Sequence, residues 1–231
     1  MTKRDPEAIR ELFETISPSY DLLNDLFSLG LHRVWKRQAV AWLGPQAGQY
    51  LLDLCCGTGD LSLVLANAVR PGGLVLGLDV AAAPLQVARQ RCARQPWLPI
   101  NWRQADAMAT GLVSESADGA VMAFGLCNMS DPEQGLAEMR RLLRPGARAV
   151  VLDFNRCEGW QLIFNRFYLR HLVVPGAAMF GLAHQYAYLE SSIEQFATGA
   201  QQQAMARSAG FRQAHHQPIA AGLMGMLQLT A

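Results

Sequence analysis

The chain has 231 residues, enough for one medium domain whose core needs neither disulfides nor metal. Apolar residues make up 51% and charged residues 17%, below the usual share of about 25% charged, which excludes a disordered chain. A net charge of +1 argues against a nucleic-acid partner, and no apolar run reaches the ~18 residues of a membrane span.

Residues 1–44 read as helices. Asp5-Pro6-Glu7 is a helix start, with Pro in the first turn. Ile9, Leu12, Phe13 and Ile16 recur at helical spacing, and Ser17-Pro18 ends the run. A second helix is expected around Leu22, Leu23 and Leu26, and a third from about His32 to Leu43. The N-terminus carries no apolar signal core, and five cysteines make no even disulfide set. Cys55 and Cys56 are adjacent, and Cys92, Cys127 and Cys157 lie apart with no CxxC spacing. A reduced, cytoplasmic protein without a metal site is expected, with association at a membrane surface left open.

From residue 45 the pattern changes to short apolar runs alternating with helical stretches. Strands are expected at Tyr50 to Leu54, Leu74 to Asp79, Ile100 to Arg103, Ala117 to Phe124 and Ala149 to Phe154. Helices are expected at Leu61 to Val69, Ala82 to Arg94 and Pro132 to Leu143. This alternation predicts an α/β fold with a mostly parallel sheet covered on both faces. Residues 156–190 interrupt it. They are rich in aromatics and carry Arg166 and Arg170, and they read as an inserted helical cap. A helix from Ile193 to Ala209 and two strands complete the chain, the last at Leu223 to Thr230. His215-His216 reads as loop surface, and Met224 and Met226 as one buried face of a strand. Two parts follow: N-terminal helices at 1–44 covering the site, and a main domain at 45–231 that includes the cap.

The strongest chemical signal is Leu-Leu-Asp-Leu-Cys-Cys-Gly-Thr-Gly-Asp-Leu-Ser at 51–62, followed by a strand that ends at Asp79. Gly57 and Gly59 allow a tight turn and close approach of a ligand. Asp79 lies where an α/β nucleotide fold sets a carboxylate against ribose hydroxyls. A dinucleotide site requires a third glycine, where this chain has Ser62. Asp60 follows Gly59 at a helix start, where an acid disfavours a pyrophosphate and tolerates a cation. Asp53, one turn before the loop, adds a second carboxylate. S-adenosylmethionine fits this pattern: it carries a sulfonium and an ammonium group and no phosphate. Asp106, after the third strand, is a candidate adenine contact. Asn128, past the fourth strand, either meets the methyl acceptor or caps the next turn. Arg166 and Arg170 beside aromatics are either a solvated face or a membrane-surface helix.

These motifs resemble the ubiquinone/menaquinone biosynthesis C-methyltransferases over essentially the whole chain. The resemblance rests on Tyr20-Asp21-x-x-Asn24-Asp25, Ser28-x-Gly30-x-His32-x-x-Trp35-Lys36, the loop at Asp53 to Leu61, Phe124-Gly125-Leu126-x-Asn128, Leu152-Asp153-Phe154 and Tyr186-x-Tyr188-Leu189-x-x-Ser192-Ile193. The Cys55-Cys56 pair, the short chain and the Leu-Met-Gly-Met-Leu ending resemble the cyanobacterial and plastid branch, which methylates 2-phytyl-1,4-naphthoquinol. The implied fold is the class I, Rossmann-like methyltransferase with a seven-stranded sheet. Thr58, Asp79, Asp106, Ala107 and Ala123 are the implied donor contacts. The expected partner is a lipid-soluble prenylated quinol, with peripheral membrane contact and a homodimer as open possibilities.

The family usually carries Arg where this chain has Cys127, beside the acceptor, so Cys127 is expected to face that side. Tyr20, Asn128 and His171 are the candidate acceptor-side groups. Three other readings follow from these features: a scaffold that binds donor and quinone without turnover, motivated by Cys127; a benzoquinol methylase; and an NAD-dependent oxidoreductase, disfavoured by Asp60 and Ser62.

Overall fold

The computed structural model describes residues 6–16, 25, 28, 30–179 and 192–231. Two N-terminal helices, α1 (Pro6–Ile16) and α2 (Leu31–Leu43), precede the sheet. The helix expected around Leu22 to Leu26 lies outside the described residues, as does Tyr20. The chain then alternates through β1 (Tyr50–Leu54), α3 (Asp60–Ala68), β2 (Leu74–Asp79), α4 (Ala82–Ala93), β3 (Ile100–Gln104), β4 (Ala117–Ala123), α5 (Pro132–Leu142) and β5 (Leu143–Phe154). The last elements are α6 (Gly159–Tyr168), a π-helical turn at Leu169–Val173, α7 (Val174–Ala178), α8 (Gly199–Ser208), β6 (Gln213–Ile219) and β7 (Met224–Thr230).

The seven strands form one sheet in the order β3-β2-β1-β4-β5-β7-β6. The first five are parallel, while β7 runs antiparallel between β5 and β6. Successive side chains of a strand point to opposite faces, and both faces of the central strands are buried. Leu52 and Leu54 of β1 join Met122, Val151, Leu136 and Met139 on one side. Leu51 joins Val121, Val150, Leu65 and Val40 on the other. That double burial is why these strands read as continuous apolar runs. Strand order reverses between β1 and β4, and in such sheets a ligand crevice opens beyond the carboxyl ends at that point.

Three expectations are corrected. β5 starts at Leu143 rather than Ala149, because Leu143 pairs with Ala117 before a register shift. The helix expected from Ile193 starts at Gly199: Thr198 and Gln201 form a reciprocal capping box that sets a new N-terminus there. His215 and His216 lie on β6, not in a loop, and the His216 ring meets Asn155 Oδ1 at 2.9 Å. Met224 and Met226 are buried. The described part of 156–190 carries α6, the π-helical turn and α7. No helix among the described residues is long and apolar enough to cross a membrane.

Candidate functional site

The carboxyl ends of β1, β2 and β4 surround an open cleft of about 860 Å³, solvent-filled mouth included. Its wall includes Gly57 and Thr58 after β1, Asp79 at the end of β2, Asp106 and Ala107 after β3, and Ala123 with Phe124 at the end of β4. A smaller recess of about 320 Å³ shares Cys55, Gly57, Thr58 and Ala123, and adds Asp53, Asp60 and Lys36. The expected donor contacts Gly57, Thr58, Asp79, Asp106, Ala107 and Ala123 thus line one cleft, and Asp53 lines the adjoining recess.

Local sequence explains the turn. Gly57 and Gly59 both have positive φ, at 54° and 85°. A Cβ on Gly59 would also stand 2.6 Å from the Trp102 ring, so no other residue fits there. Gly59 shapes the turn from behind and does not line the cleft. Cys55 and Phe124, at the ends of neighbouring strands, adopt positive φ without being glycine, at 56° and 59°. Such backbone strain gathers at ligand clamps, and both residues line the cleft.

Asp79 Oδ2 accepts from the Gly57 N–H at 2.8 Å and Oδ1 from the Ala81 N–H at 2.9 Å, so this carboxylate ties the glycine loop to the start of α4. Burial raises its pKa, against the pull of these backbone donors. Asp53 is buried and accepts from Ser62 Oγ at 2.6 Å. Burial pushes Asp53 up to about 7, opposed by that hydrogen bond and by the Lys36 charge. Asp106 accepts from the Met108 N–H at 2.8 Å, which fixes its turn. The Cys55 thiol is pushed well up, first by burial and then by Asp79, Asp53, Asp153 and Asp106. Asp79 and Asp106 thus put carboxylates on the cleft wall and Asp53 adds one in the recess, a lining better suited to a cation than to phosphate.

Asp60, read from the sequence as tolerating a cationic ligand, is instead paired with two protein cations. Lys36 Nζ stands 2.9 Å from one carboxylate oxygen and Arg91 Nη1 3.0 Å from the other. Burial raises the Asp60 pKa, yet Lys36 and Arg91 outweigh it and the net shift is downward. Arg91 also donates to Thr58 Oγ1 at 3.1 Å. Helices α2 and α4 thus clamp the loop from both sides. Lys36, Arg91 and Ser62 were not singled out as site residues from the sequence. Lys36 had a signal in its motif, and Ser62 in its place nine residues after Asp53. Arg91 had none, because its contact depends on how α4 packs.

The acceptor-side candidates separate. Asn128 lines the cleft, its Nδ2 donating to the Phe124 carbonyl at 3.0 Å. Its Oδ1 lies 3.5 Å from Ser192 Oγ. Cys127 does not face the cleft, which corrects that expectation. It is fully buried, its N–H donates to Asp153 Oδ2 at 2.9 Å, and its thiol also bonds that carboxyl. The short turn Leu126–Asn128 turns successive residues to different sides, so Asn128 meets the cleft while Cys127 points into the core. His171 is exposed on the π-helical turn, its ring 4.7 Å from that of Phe167, and is not on the described wall of the cleft.

The chain matches the ubiE/COQ5 methyltransferase family over residues 1–228. It is 47% identical to a 2-phytyl-1,4-naphtoquinone methyltransferase of Thermosynechococcus vestitus, covering 94% of this chain and 96% of that one. The chloroplastic 2-phytyl-1,4-beta-naphthoquinone methyltransferase of Arabidopsis thaliana is 41% identical, covering 94% of this chain and 85% of its own. Among solved structures, a SAM-dependent methyltransferase from Aquifex aeolicus superposes with a TM-score of 0.62, covering 98% of both chains at 17% identity. A possible histamine N-methyltransferase from Thermotoga maritima gives 0.66, covering 96% of this chain and 99% of that one at 18% identity. These two likenesses bear on the fold alone, and the fold is the class I methyltransferase fold.

Proposed function

The chain belongs to the ubiE/COQ5 methyltransferase family, and on that premise we propose that it methylates a ring carbon of a prenylated 1,4-naphthoquinol. It is an S-adenosylmethionine-dependent methyltransferase. The observation that carries the site assignment is the glycine-turned, carboxylate-lined cleft at the switch point of the sheet. When bound, S-adenosylmethionine supplies an electrophilic methyl group on a sulfonium. Gly57 leaves room for the donor's approach, and Gly59 lets the loop turn behind it. A carboxylate has about four acceptor sites, so Asp79 keeps capacity for the ribose hydroxyls beyond its two backbone bonds. Asp53 and the recess suit the cationic end. Asp106, Ala107 and Ala123 form the wall for the adenine and the methyl carrier.

Carbon attack needs electron density in the acceptor ring, which a phenolate supplies better than a neutral hydroxyl with pKa about 10. Asn128 keeps one amide hydrogen and acceptor capacity on Oδ1 beyond its contacts with Phe124 and Ser192. It orients a ring hydroxyl, and Tyr20 remains its candidate partner. The chain's larger contribution is alignment of the two reactants. Met108, Phe124 and Met129 give the cleft an apolar side for a lipid-soluble ring. The N-terminal part at 1–44 and the cap at about 156–190 form its cover and the path of the prenyl tail.

α6 turns Trp160, Ile163 and Phe167 outward on one face, 64%, 72% and 60% exposed, with Met179 beyond them at 86%. Aromatics on one face with Arg156, Arg166 and Arg170 close by support a surface that rests on anionic lipid. Arg156 and Arg166 also pair with Glu158 and Glu194.

The test is methyl transfer from labelled donor to 2-phytyl-1,4-naphthoquinol, chemically reduced or left oxidised. Label should enter the lipid extract only with the reduced acceptor. Equal labelling from the oxidised quinone, or none from either, would refute the proposal.

A further inference from the structure

Helix α4 begins without a cap of its own. Its N-cap is Ala81, which has no side-chain oxygen, and its first turn holds no acid. The first N–H groups of a helix need partners from elsewhere. Asp79 takes the N–H of Ala81. The next two go to one side chain far back in the sequence. Glu14 Oε1 accepts from Ala82 N–H at 2.6 Å, and Oε2 from Ala83 N–H at 2.8 Å. Both carboxylate oxygens sit at the positive pole of the helix, where an anion is favoured.

Glu14 belongs to α1, and its neighbour Phe13 lines the cleft. Val80 and Pro84, on either side of the capped N–H groups, line the same cleft. One turn of α1 therefore supplies both the missing cap of α4 and an aromatic wall for the site. We propose that Glu14 is a positioning residue for methyl transfer: its carboxylate latches α1 onto α4 and so seats Phe13 over the donor. This rests on the reading that the donor lies in this cleft. Donor and spent donor pass while the latch is open, and transfer takes place while it is closed. The latch consists of two charge-assisted hydrogen bonds, strong enough to bias the closed state. Its partially exposed setting lets water replace them when α1 lifts.

The experiment follows S-adenosylhomocysteine binding by calorimetry and its dissociation by stopped flow. Glu14→Ala should release this ligand about 10-fold faster, with Glu14→Gln intermediate because one acceptor oxygen remains. Phe13→Ala should shift the same way. The donor KM of the Glu14 variants should rise in parallel, and kcat at saturating donor should fall by about 3-fold or more, because transfer takes place only in the closed state.

A purely structural cap would behave differently, and Ala81→Ser separates the two by giving α4 a local cap. Adding it to Glu14→Ala should recover thermal stability and leave release fast. The proposal falls if the double variant regains wild-type release, or if neither Glu14 variant changes release. Should Glu14→Ala fail to fold, Glu14→Gln and Phe13→Ala carry the same test. Asp79→Ala distinguishes the underlying reading. If it binds S-adenosylhomocysteine as wild type does, the donor lies elsewhere and both ideas fail. If it loses binding while the Glu14 variants keep normal release, only the latch fails.

Discussion

Asp53 and Cys127 show how burial sets the role of a single residue. Burial raises the Asp53 carboxyl to about 7, while Ser62 and Lys36 hold it down. A cationic donor favours the ionised form, so donor binding should release a proton near neutral pH. Affinity should rise as pH goes from 5.5 to 7.5, by up to roughly 10-fold per unit of induced shift. Asp53→Asn should flatten that profile. Calorimetry in two buffers of different ionisation enthalpy reads the proton directly, and a flat wild-type profile would disprove this role. Cys127 is bonded to Asp153 inside the core, where the Cys127 and Phe154 N–H groups also serve that carboxylate. Cys127→Ala should cost about 1–2 kcal/mol of stability and leave donor affinity unchanged. Turnover at saturating substrates should stay within about 3-fold. A loss beyond 10-fold without instability would put the thiol at the acceptor after all.

At the scale of elements, legibility followed sequence distance. The loop at 55–60 and the end of β2 could be read because a buried strand, its glycines and the next carboxylate all lie within one βαβ unit. The start of α8 carries a local signal in the S/T-x-x-E/Q pattern of Thr198 and Gln201, yet the apolar run from Ile193 suggests an earlier beginning. The bonds of Glu14 to α4, of Arg91 to Asp60, and of Cys127 to Asp153 join distant segments, and no local pattern announces them. Residue 127 was misplaced because a three-residue turn decides which side chain meets the cleft.

Helix α5 offers a test of such a long-range tie. Glu138 accepts from Thr110 N–H at 2.9 Å and from Thr110 Oγ1 at 2.5 Å, and pairs with Arg141 at 2.7 Å. The Arg141 and Thr110 hydrogen bonds hold its pKa at about 2, below its ordinary 4.5. Its stabilisation is therefore fully present above pH 4.5 and is lost as pH falls toward 2. Urea melts should show this acid-sensitive component in wild type, and Glu138→Gln should lack it. At the other end of α5, Asp131 caps Gln134 N–H at 3.0 Å. Asp131→Ala should cost about 1 kcal/mol, or roughly 2–4 °C in Tm.

Among the described residues of the whole molecule, the cleft at the sheet's switch point is accompanied by α6, which exposes Trp160, Ile163 and Phe167. If α6 rests on lipid, sedimentation with vesicles should rise with anionic lipid and fall with salt. Trp160→Ala with Phe167→Ala should weaken it, with donor affinity unchanged. Equal sedimentation with and without vesicles would remove the membrane from this picture. The acceptor remains the most direct probe of the whole. The decisive measurement is a mixed assay in which 2-phytyl-1,4-naphthoquinol and a benzoquinol with the same tail compete, both reduced, for labelled donor. Label should go to the naphthoquinol by at least ~10-fold in kcat/KM, about 1.4 kcal/mol of transition-state preference. Equal labelling of both acceptors, or preference for the benzoquinol, would contradict the naphthoquinol assignment.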